Sequence, residues 1–228
     1  MNSENFLDNL KNLSFYNHLS KQELELLHQH TSIMNYPKNT IIYSNSIECL
    51  GVILVLKGCL RTYMLSEQGK DITLYRLYPS DTCILSASCL LRNITFDVTI
   101  EAEEDTTALL LNSSMFQKLM QSNVYVENFS YKTTIDKFSD VMWTMEQILF
   151  MSVDQRLAVF LLDESRKLKT DILNLTHAQI AKYMGTAREV VSRMLKTFES
   201  DGILTLARNS IVLVDKNRLK KLTMSSRN

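Results

Sequence analysis

The chain has 228 residues, of which 45% are hydrophobic and 22% are charged, as is ordinary for a globular protein with one large or two modest domains. No apolar run of about 18 residues or more occurs, which argues against a transmembrane helix. The N-terminus also lacks the basic region and the apolar core of a signal peptide, so we expect a cytoplasmic protein without membrane contact.

The formal net charge of zero hides an asymmetry along the chain. Residues 151–228 carry 14 basic and 8 acidic side chains, a net charge of +6, whereas residues 1–150 carry 11 basic and 17 acidic side chains, a net charge of −6. A basic C-terminal third beside an acidic remainder suits a nucleic-acid-binding module joined to a domain that does not touch nucleic acid.

The first recognisable element is a short helix. Ser20 and Glu23 have the spacing of a capping box, which predicts a helix near residues 20–30. From residue 33 to residue 112 the pattern changes to short strands separated by turns. The clearest strands are Leu50–Leu56, Cys59–Leu65, Ile72–Tyr78, the alternating residues 95–102, and Thr107–Leu111. Strands of this number and spacing predict a small barrel or jelly roll.

Residues 113–150 change to a helical period. Ser114 and Gln117 have capping-box spacing and predict a short helix. A longer helix follows, with apolar residues mostly three or four apart: Phe138, Val141, Met142, Met145, Ile148 and Leu149. This spacing is close to that of a coiled-coil seam. From the spacing alone, packing of the helix on its own barrel and pairing with a second copy are equally good interpretations.

Two further helical patterns meet at Gly185, where glycine can adopt the left-handed conformation that ends a helix. Thr176 and Gln179 have capping-box spacing at the start of the first pattern, and Thr186 and Glu189 are predicted to cap the second in the same way. The second pattern has apolar residues at i, i+3, i+4 and i+7, namely Val191, Met194, Leu195 and Phe198, and its opposite face carries Arg188, Glu189, Ser192, Arg193 and Lys196. Two helices joined by a tight glycine turn predict a helix-turn-helix.

The polar face of the second helix suits base recognition. In a helix-turn-helix, the N-terminal residues of the second helix touch base edges in the major groove. Arginine can donate two hydrogen bonds to guanine and a carboxylate can accept one from cytosine, so Arg188, Glu189 and Arg193 are candidate base readers. The competing interpretation is an exposed amphipathic helix in which Glu189 only caps, but it leaves the turn glycine and the two phased helices unexplained. Gly202–Leu206 and Ser210–Val214 then predict a β-hairpin wing.

The segment Thr176–Lys196 resembles the DNA-binding end of the Crp/Fnr (cyclic-AMP receptor protein/Fnr) superfamily of bacterial transcription regulators. Ala187–Arg193 is similar to that family's recognition helix, with the Arg-Glu-x-x-x-Arg core intact. The resemblance implies an α+β fold in three parts. These are a β jelly-roll, cyclic-nucleotide-binding-like sensor domain over residues 1–122, a dimerisation helix over 123–151, and a winged helix-turn-helix DNA-binding domain over 152–228. Pro37–Ile42 resembles the opening strand of the jelly roll, and Ser152–Leu162 resembles the hinge and the first helix of the DNA-binding domain.

The same resemblance implies a homodimer on a palindromic promoter site in double-stranded DNA, with RNA polymerase as a further partner. It also favours pairing of the long helix with its twin. Base contacts would come from Arg188, Glu189 and Arg193. Phosphate contacts would come from Thr176, Ser192, Lys196 and, at the tip of the wing, Arg208.

The effector segment departs from the family members that bind cyclic AMP. A pocket resembling theirs needs a glutamate for the ribose and an Arg-Ser/Thr pair for the cyclic phosphate. Residues 68–100 contain no glutamate, and the residue after Arg92 is asparagine. We therefore expect a small-molecule effector other than cyclic AMP. An anionic ligand held by Arg92 with the hydroxyls of Ser86 and Ser88 is one alternative.

The chain has four cysteines: Cys49, Cys59, Cys83 and Cys89. None lies near the N-terminus, so the cysteine cluster that holds the iron–sulfur centre of Fnr-type oxygen sensors is absent. Cys83 and Cys89 lie in the effector segment, which leaves a redox sensor, or a metal or haem ligand, as an alternative to ordinary buried thiols. No histidine has metal-ligand spacing with them, so no metal site is predicted and the cofactor stays open.

Two other classes of function remain to be weighed. A jelly-roll enzyme would need a set of histidine and glutamate metal ligands, but residues 33–112 contain no histidine. The chain also has no Walker loop or dinucleotide fingerprint, so we expect no enzyme activity. The remaining alternative is a constitutive DNA-binding regulator whose barrel is only a structural module.

Overall fold

The computed structural model of the chain describes residues 8–44, 50–67, 69, 71–84, 86 and 97–224. By their contacts the residues form two compact units. The first comprises Met1–Leu65 and Leu74–Val141, and the second comprises Ser66–Thr73 and Met142–Asn228. No helix in the described part is long and apolar enough to cross a membrane.

The first unit is built on a jelly roll of two four-stranded sheets, with strand orders β1-β8-β3-β6 and β2-β7-β4-β5. Its strands are β1 (Thr31–Tyr36), β2 (Ile41–Tyr43), β3 (Gly51–Lys57), β4 (Leu60–Leu65), β5 (Asp71–Leu77), β6 (Thr82–Cys83), β7 (Thr99–Ala102) and β8 (Thr106–Asn112), of which the first three residues of β5 are grouped with the second unit. Four of the predicted strands are therefore confirmed, with shifts of one residue at their ends. The strand predicted over residues 95–102 is confirmed only from Thr99 onward, and residues 95 and 96 lie outside the described residues.

The continuous apolar run that predicted β3 is explained by burial of both of its faces. Successive side chains on a strand point to opposite faces. Ile53 and Val55 belong to the interior cluster of the barrel, whereas Val52 and Leu54 belong to a second cluster with the helices of this unit. Because neither face meets solvent, the strand needs no polar alternation.

One expected strand is a turn. Pro37–Ile42 was expected to open the jelly roll, but β1 ends at Tyr36 and β2 begins only at Ile41. Between them Asn39 has a φ of 67°. Proline cannot donate a backbone hydrogen bond and asparagine tolerates the left-handed region, so this segment favours chain reversal over strand pairing.

The helices of the first unit include a 3-10 turn (Tyr16–His18), α1 (Lys21–Gln29), α2 (Ser113–Ser122) and the long α3 (Val124–Phe150), whose residues after Val141 belong to the second unit. The capping box of Ser20 and Glu23 is present at the start of α1, as predicted. The predicted cap of α2 is wrong. Asn112, at the end of β8, provides the cap, since its side chain accepts hydrogen bonds from the amides of Ser114 and Met115.

The second unit contains four shorter helices and a small antiparallel sheet of order β10-β11-β9. Its elements are α4 (Val153–Leu168), β9 (Ile172–Leu173), α5 (His177–Met184), α6 (Arg188–Ser200), β10 (Leu204–Ala207), β11 (Ser210–Leu213) and α7 (Lys216–Met224). Ile180, Val191, Leu195 and Phe198 are buried in one core with residues of α4 and the sheet. The helix-turn-helix and its wing are confirmed.

Candidate DNA-binding surface and sensor site

The turn between α5 and α6 is made by Gly185, whose φ of 60° and ψ of 40° place it in the left-handed region. At the other end of α5 the predicted capping box is present. Thr176 Oγ1 accepts from the Gln179 amide at 3.2 Å, and the Gln179 side chain accepts from the Thr176 amide at 2.9 Å. These two features fix the start and the end of the first helix of the motif.

The capping box predicted for α6 is wrong. The N-cap is Ala187, which has an extended backbone, and no side chain caps the helix. Thr186 lies one position too early for its hydroxyl to take that role. Consequently the Glu189 carboxylate is not used as a cap and stays on the exposed face of α6.

The polar face of α6 forms an open groove on the surface of the second unit. The groove has a volume of about 720 Å³ and is lined by Arg188, Glu189, Ser192, Arg193, Lys196, Thr197 and Ser200. Val191, Leu195 and Phe198 are buried on the opposite side of the helix. The structure therefore brings together on one surface all five predicted contacts on this helix.

Two other predicted contacts stand in different settings. Thr176 is exposed, but its hydroxyl accepts from the Gln179 amide and donates to Gln179 Oε1 at 2.9 Å, so it already serves the cap. Arg208 is exposed at the tip of the wing, where Asn209 has a φ of 59°. The start of α5 precedes α6 in the sequence and the wing follows it. Of the two predicted contacts in these segments, Arg208 offers a cationic side chain and Thr176 does not.

His177 is a candidate that the sequence analysis missed. Its Nδ1 lies 2.8 Å from Ser192 Oγ and joins the two helices of the motif. The imidazole also lines a second groove, of about 410 Å³, together with Thr176, Arg188, Asn209 and Ser210. A hydrogen bond between residues 15 positions apart, across a turn, has no signature in the sequence, which is why only the structure reveals it.

Arg156 of α4 makes a hydrogen bond that stabilises the helix-turn-helix motif. The Arg156 guanidinium donates to the carbonyl oxygen of Met184, at the C-terminal end of α5. Burial lowers the pKa of Arg156, although arginine stays charged at any physiological pH. A cation at the carboxyl end of a helix is favoured by the unpaired carbonyls there, so this contact holds α5 in place against α4.

Comparison with known proteins identifies the same two parts of the chain. Residues 155–222 match the family model of the Crp-like helix-turn-helix domain, and residues 33–123 match that of the cyclic nucleotide-binding domain. A solved transcriptional regulator of the Crp/Fnr family from Eubacterium rectale is 40% identical, with 94% of this chain and 99% of that chain covered and a TM-score of 0.87. The chain belongs to the Crp/Fnr family.

More distant relatives lie in the same family of regulators. The regulatory protein HlyX of Actinobacillus pleuropneumoniae is 23% identical, with 82% of this chain and 78% of HlyX covered. The cyclic AMP receptor protein of Thermus thermophilus is 21% identical, with 93% and 98% covered. This Crp/Fnr protein is thus a transcription regulator with a helix-turn-helix DNA-binding domain, and its relatives are regulators rather than enzymes.

The predicted effector residues are only partly described. Ser88, Cys89 and Arg92 lie outside the described residues. Cys83 is fully buried in the barrel interior. The Ser86 hydroxyl is also fully buried and donates to the carbonyl oxygen of Gly51 at 2.6 Å. This hydrogen bond ties Ser86 to β3. The hydroxyl therefore already has a structural role, which competes with binding of an anion.

The thiols that the structure describes are poorly suited to redox chemistry. Burial and the nearby Glu103 raise the pKa of Cys59 to about 12, so its thiol stays protonated. The thiolate is the reactive form of cysteine, and an inert buried thiol is the expected result. Among the described residues no group of three or more histidine, cysteine, aspartate and glutamate side chains is placed to hold a metal ion.

Two buried hydroxyls in the barrel were not predicted from the sequence. Thr62 Oγ1 and Tyr75 Oη lie close to each other, and neither makes a hydrogen bond of good geometry to a described residue, although Thr62 is 0% and Tyr75 is 8% exposed. Burial holds the pKa of Tyr75 well above its usual value and the nearby Cys83 adds to this shift, whereas the Thr62 hydroxyl opposes it. Lys137 of α3 lies over the Tyr75 ring, 5.0 Å from its centroid, and forms an ion pair with Asp140 at 3.0 Å.

A buried hydroxyl without a well-formed hydrogen bond is costly, so Thr62→Val should stabilise the ligand-free protein by about 1 kcal/mol, because valine has nearly the same shape and no polar atom to satisfy. Urea unfolding of the two forms would measure the change. Thr106→Val is the matched control. Thr106 is 2% exposed and its hydroxyl lies at 2.8 Å from the Glu104 carbonyl oxygen, so the same substitution should cost about 1–3 kcal/mol. Equal losses in both variants would show that Thr62 has a partner after all.

The long helix α3 carries an exposed apolar stripe. Its members are between 45% and 65% exposed and follow a spacing of four and three residues: Tyr131, Ile135, Phe138, Met142, Met145 and Leu149. Val141, which the sequence analysis placed in the seam, instead packs against the interior cluster of the barrel. Alternation of three and four is the heptad pattern that buries a stripe against a second helix.

Proposed function

We propose that this Crp/Fnr regulator is a homodimer that binds a palindromic promoter site and responds to an effector other than cyclic AMP. The observation that carries the DNA-binding part is the α6 groove, in which Arg188, Glu189 and Arg193 are exposed together at the N-terminal half of the second helix. Glutamate beside two arginines suits base reading better than simple attraction to phosphate, because it can accept from cytosine.

The homodimer is supported by the apolar stripe on α3. Six large side chains in heptad register on one face are poorly suited to permanent contact with water. A second copy of the same helix offers the same stripe, and a two-fold axis makes the two faces complementary. Two recognition helices related by that axis would then read two half-sites about one helical turn, roughly 10 bp, apart.

Selection of binding sites from random DNA would test the proposal. We expect a two-fold symmetric site containing G·C pairs at positions read by the two arginines and the glutamate. Recovery of asymmetric sites would contradict the dimer, and recovery of A·T-only sites would contradict the assigned base readers. We propose RNA polymerase as the further partner, since the relatives are transcription regulators.

The barrel is proposed to sense a neutral molecule rather than an anion. Thr62 and Tyr75 offer two buried hydroxyls. The cations of the barrel in this region are already paired, Lys137 with Asp140 and the buried Arg61 with Glu101. A ligand that donates and accepts hydrogen bonds would satisfy both hydroxyls at little electrostatic cost. This observation favours a sensor over the constitutive alternative, in which a barrel filled by apolar side chains would serve as well. Effector binding would shift the balance between two arrangements of the dimer.

Cyclic AMP at millimolar concentration should raise neither the melting temperature nor the DNA affinity. A ligand at a hundredfold excess over its Kd stabilises the folded state by about 2.7 kcal/mol, so real binding would be plain in a melting experiment. The relative from Thermus thermophilus bears the name cyclic AMP receptor protein and is a suitable positive control. A rise in melting temperature that Arg92→Ala abolishes would contradict this expectation.

A further inference from the structure

We propose that His177 is a further DNA-contacting residue, which bridges Ser192 and a backbone phosphate and makes DNA affinity depend on pH. This inference rests on the proposed function, because it needs α6 to face DNA. It starts from the hydrogen bond of 2.8 Å between His177 Nδ1 and Ser192 Oγ. Nε2, the other ring nitrogen, makes no hydrogen bond to any described residue and is left to serve a ligand.

His177 lies on the same surface as Arg188, one of the candidate base readers. His177 is the first residue of α5 and lines the groove of about 410 Å³ with Arg188, the first residue of α6, and with Asn209 and Ser210 of the wing. Backbone amides at a helix N-terminus attract phosphate groups. A phosphate held at the start of α5 would lie beside the imidazole.

Protonation of His177 changes the donors that this surface offers. In the neutral form, a single proton is shared between the two ring nitrogens, and Nδ1 can accept the Ser192 hydroxyl proton only if Nε2 carries the ring proton. In the charged form both nitrogens donate. Nδ1 then donates to Ser192 Oγ, and the hydroxyl proton of Ser192 becomes available to a phosphate. Protonation thus adds one positive charge and one extra donor to the DNA-facing surface.

The other charged groups near His177 come from α6 and from the wing. From α6 the groove is lined by Arg188, with Glu189 and Lys196 on the same helix face, and Arg208 lies next to Asn209 at the tip of the wing. Carboxylates, lysine and arginine ordinarily keep their charge between pH 6 and pH 8, whereas histidine changes charge in this range. Residues 142–228 contain no cysteine, and His177 is the one histidine among them, so it is the one side chain there of a residue type that changes charge in this range.

The test measures the DNA affinity of the full-length protein between pH 6 and pH 8 at constant ionic strength, using a duplex obtained by site selection. The wild-type affinity should rise roughly fivefold per subunit as the pH falls, which is the typical difference between a charged and a neutral hydrogen bond. The slope of affinity against salt should also become steeper by about 0.9 per protonated histidine in contact with phosphate.

Two variants separate a DNA contact from a structural role. His177→Gln keeps a hydrogen-bonding side chain without a titratable charge, so its affinity should be independent of pH. His177→Arg carries a permanent charge, so its affinity should also be independent of pH but should stay close to the wild-type value at pH 6. A glutamine variant with the same pH dependence as the wild type overturns the inference. Absence of binding by every form at every pH overturns the DNA-binding proposal itself and the inference with it.

Discussion

Phe138→Asp should convert the proposed dimer into a folded monomer. Phe138 is 62% exposed in the single chain, so the substitution leaves the barrel core untouched. In a dimer it would instead place a carboxylate from each copy in an apolar seam, close to the two-fold axis. An unpaired buried charge costs about 3–5 kcal/mol, which corresponds to an increase in the dimer dissociation constant of a hundredfold or more. Analytical ultracentrifugation over a range of protein concentrations would measure it.

The matched control is Phe150→Asp. It introduces the same charge in place of the same residue, at a position on α3 that is 75% exposed and lies outside the stripe. This variant should remain a dimer and should bind the palindromic site with wild-type affinity. The Phe138→Asp monomer should lose that site, because a single recognition helix reads only one half of it. If Phe138→Asp stays dimeric, the apolar stripe is not the interface.

The contacts that could be predicted from the sequence are those set by local spacing. The capping boxes of Ser20 and Thr176 lie within one helical turn, and the buried face of α6 follows from its period, so both were predicted correctly. The same local rule failed for Thr186, because the chain enters α6 one residue later than the pattern suggests. The spacing shows that a capping side chain is available, but it does not show at which residue the helix begins after the turn.

Contacts between distant residues could not be predicted in this way. The heptad pattern suggested the seam on α3, but Val141 fits the helical spacing as well as Met142 does and yet packs on the barrel. The bond between His177 and Ser192 depends on the crossing of two helices. The poor hydrogen bonding of the buried Thr62 and Tyr75 hydroxyls depends on what surrounds them in three dimensions. Two of these three features lie outside the helix-turn-helix domain, so the DNA-binding motif could be predicted from the sequence better than the sensor domain could.

Arg188→Ala should reduce affinity for the selected site by about 1–3 kcal/mol and relax the base preference at one position of each half-site. Arg188 is the first residue of α6 and is exposed, where a recognition helix meets base edges. Binding to random DNA should fall much less, because the lost pair of hydrogen bonds to guanine exists only at the correct base. Competition of the selected duplex against single-base variants would measure the change in preference.

Lys196→Ala is the matched control for Arg188→Ala. Lys196 lies on the same face as Arg188, two turns further along α6, and is also exposed. A lysine that contacts phosphate contributes to all sequences alike, so its loss should weaken specific and random DNA by a similar factor and lower the salt slope by about one unit. The two variants remove the same charge from the same helix, so simple electrostatics predicts the same behaviour for both. A loss of base preference confined to Arg188→Ala would therefore have to arise from hydrogen bonds to a base, and equal losses on both kinds of DNA would show that α6 does not present Arg188 to the base edges.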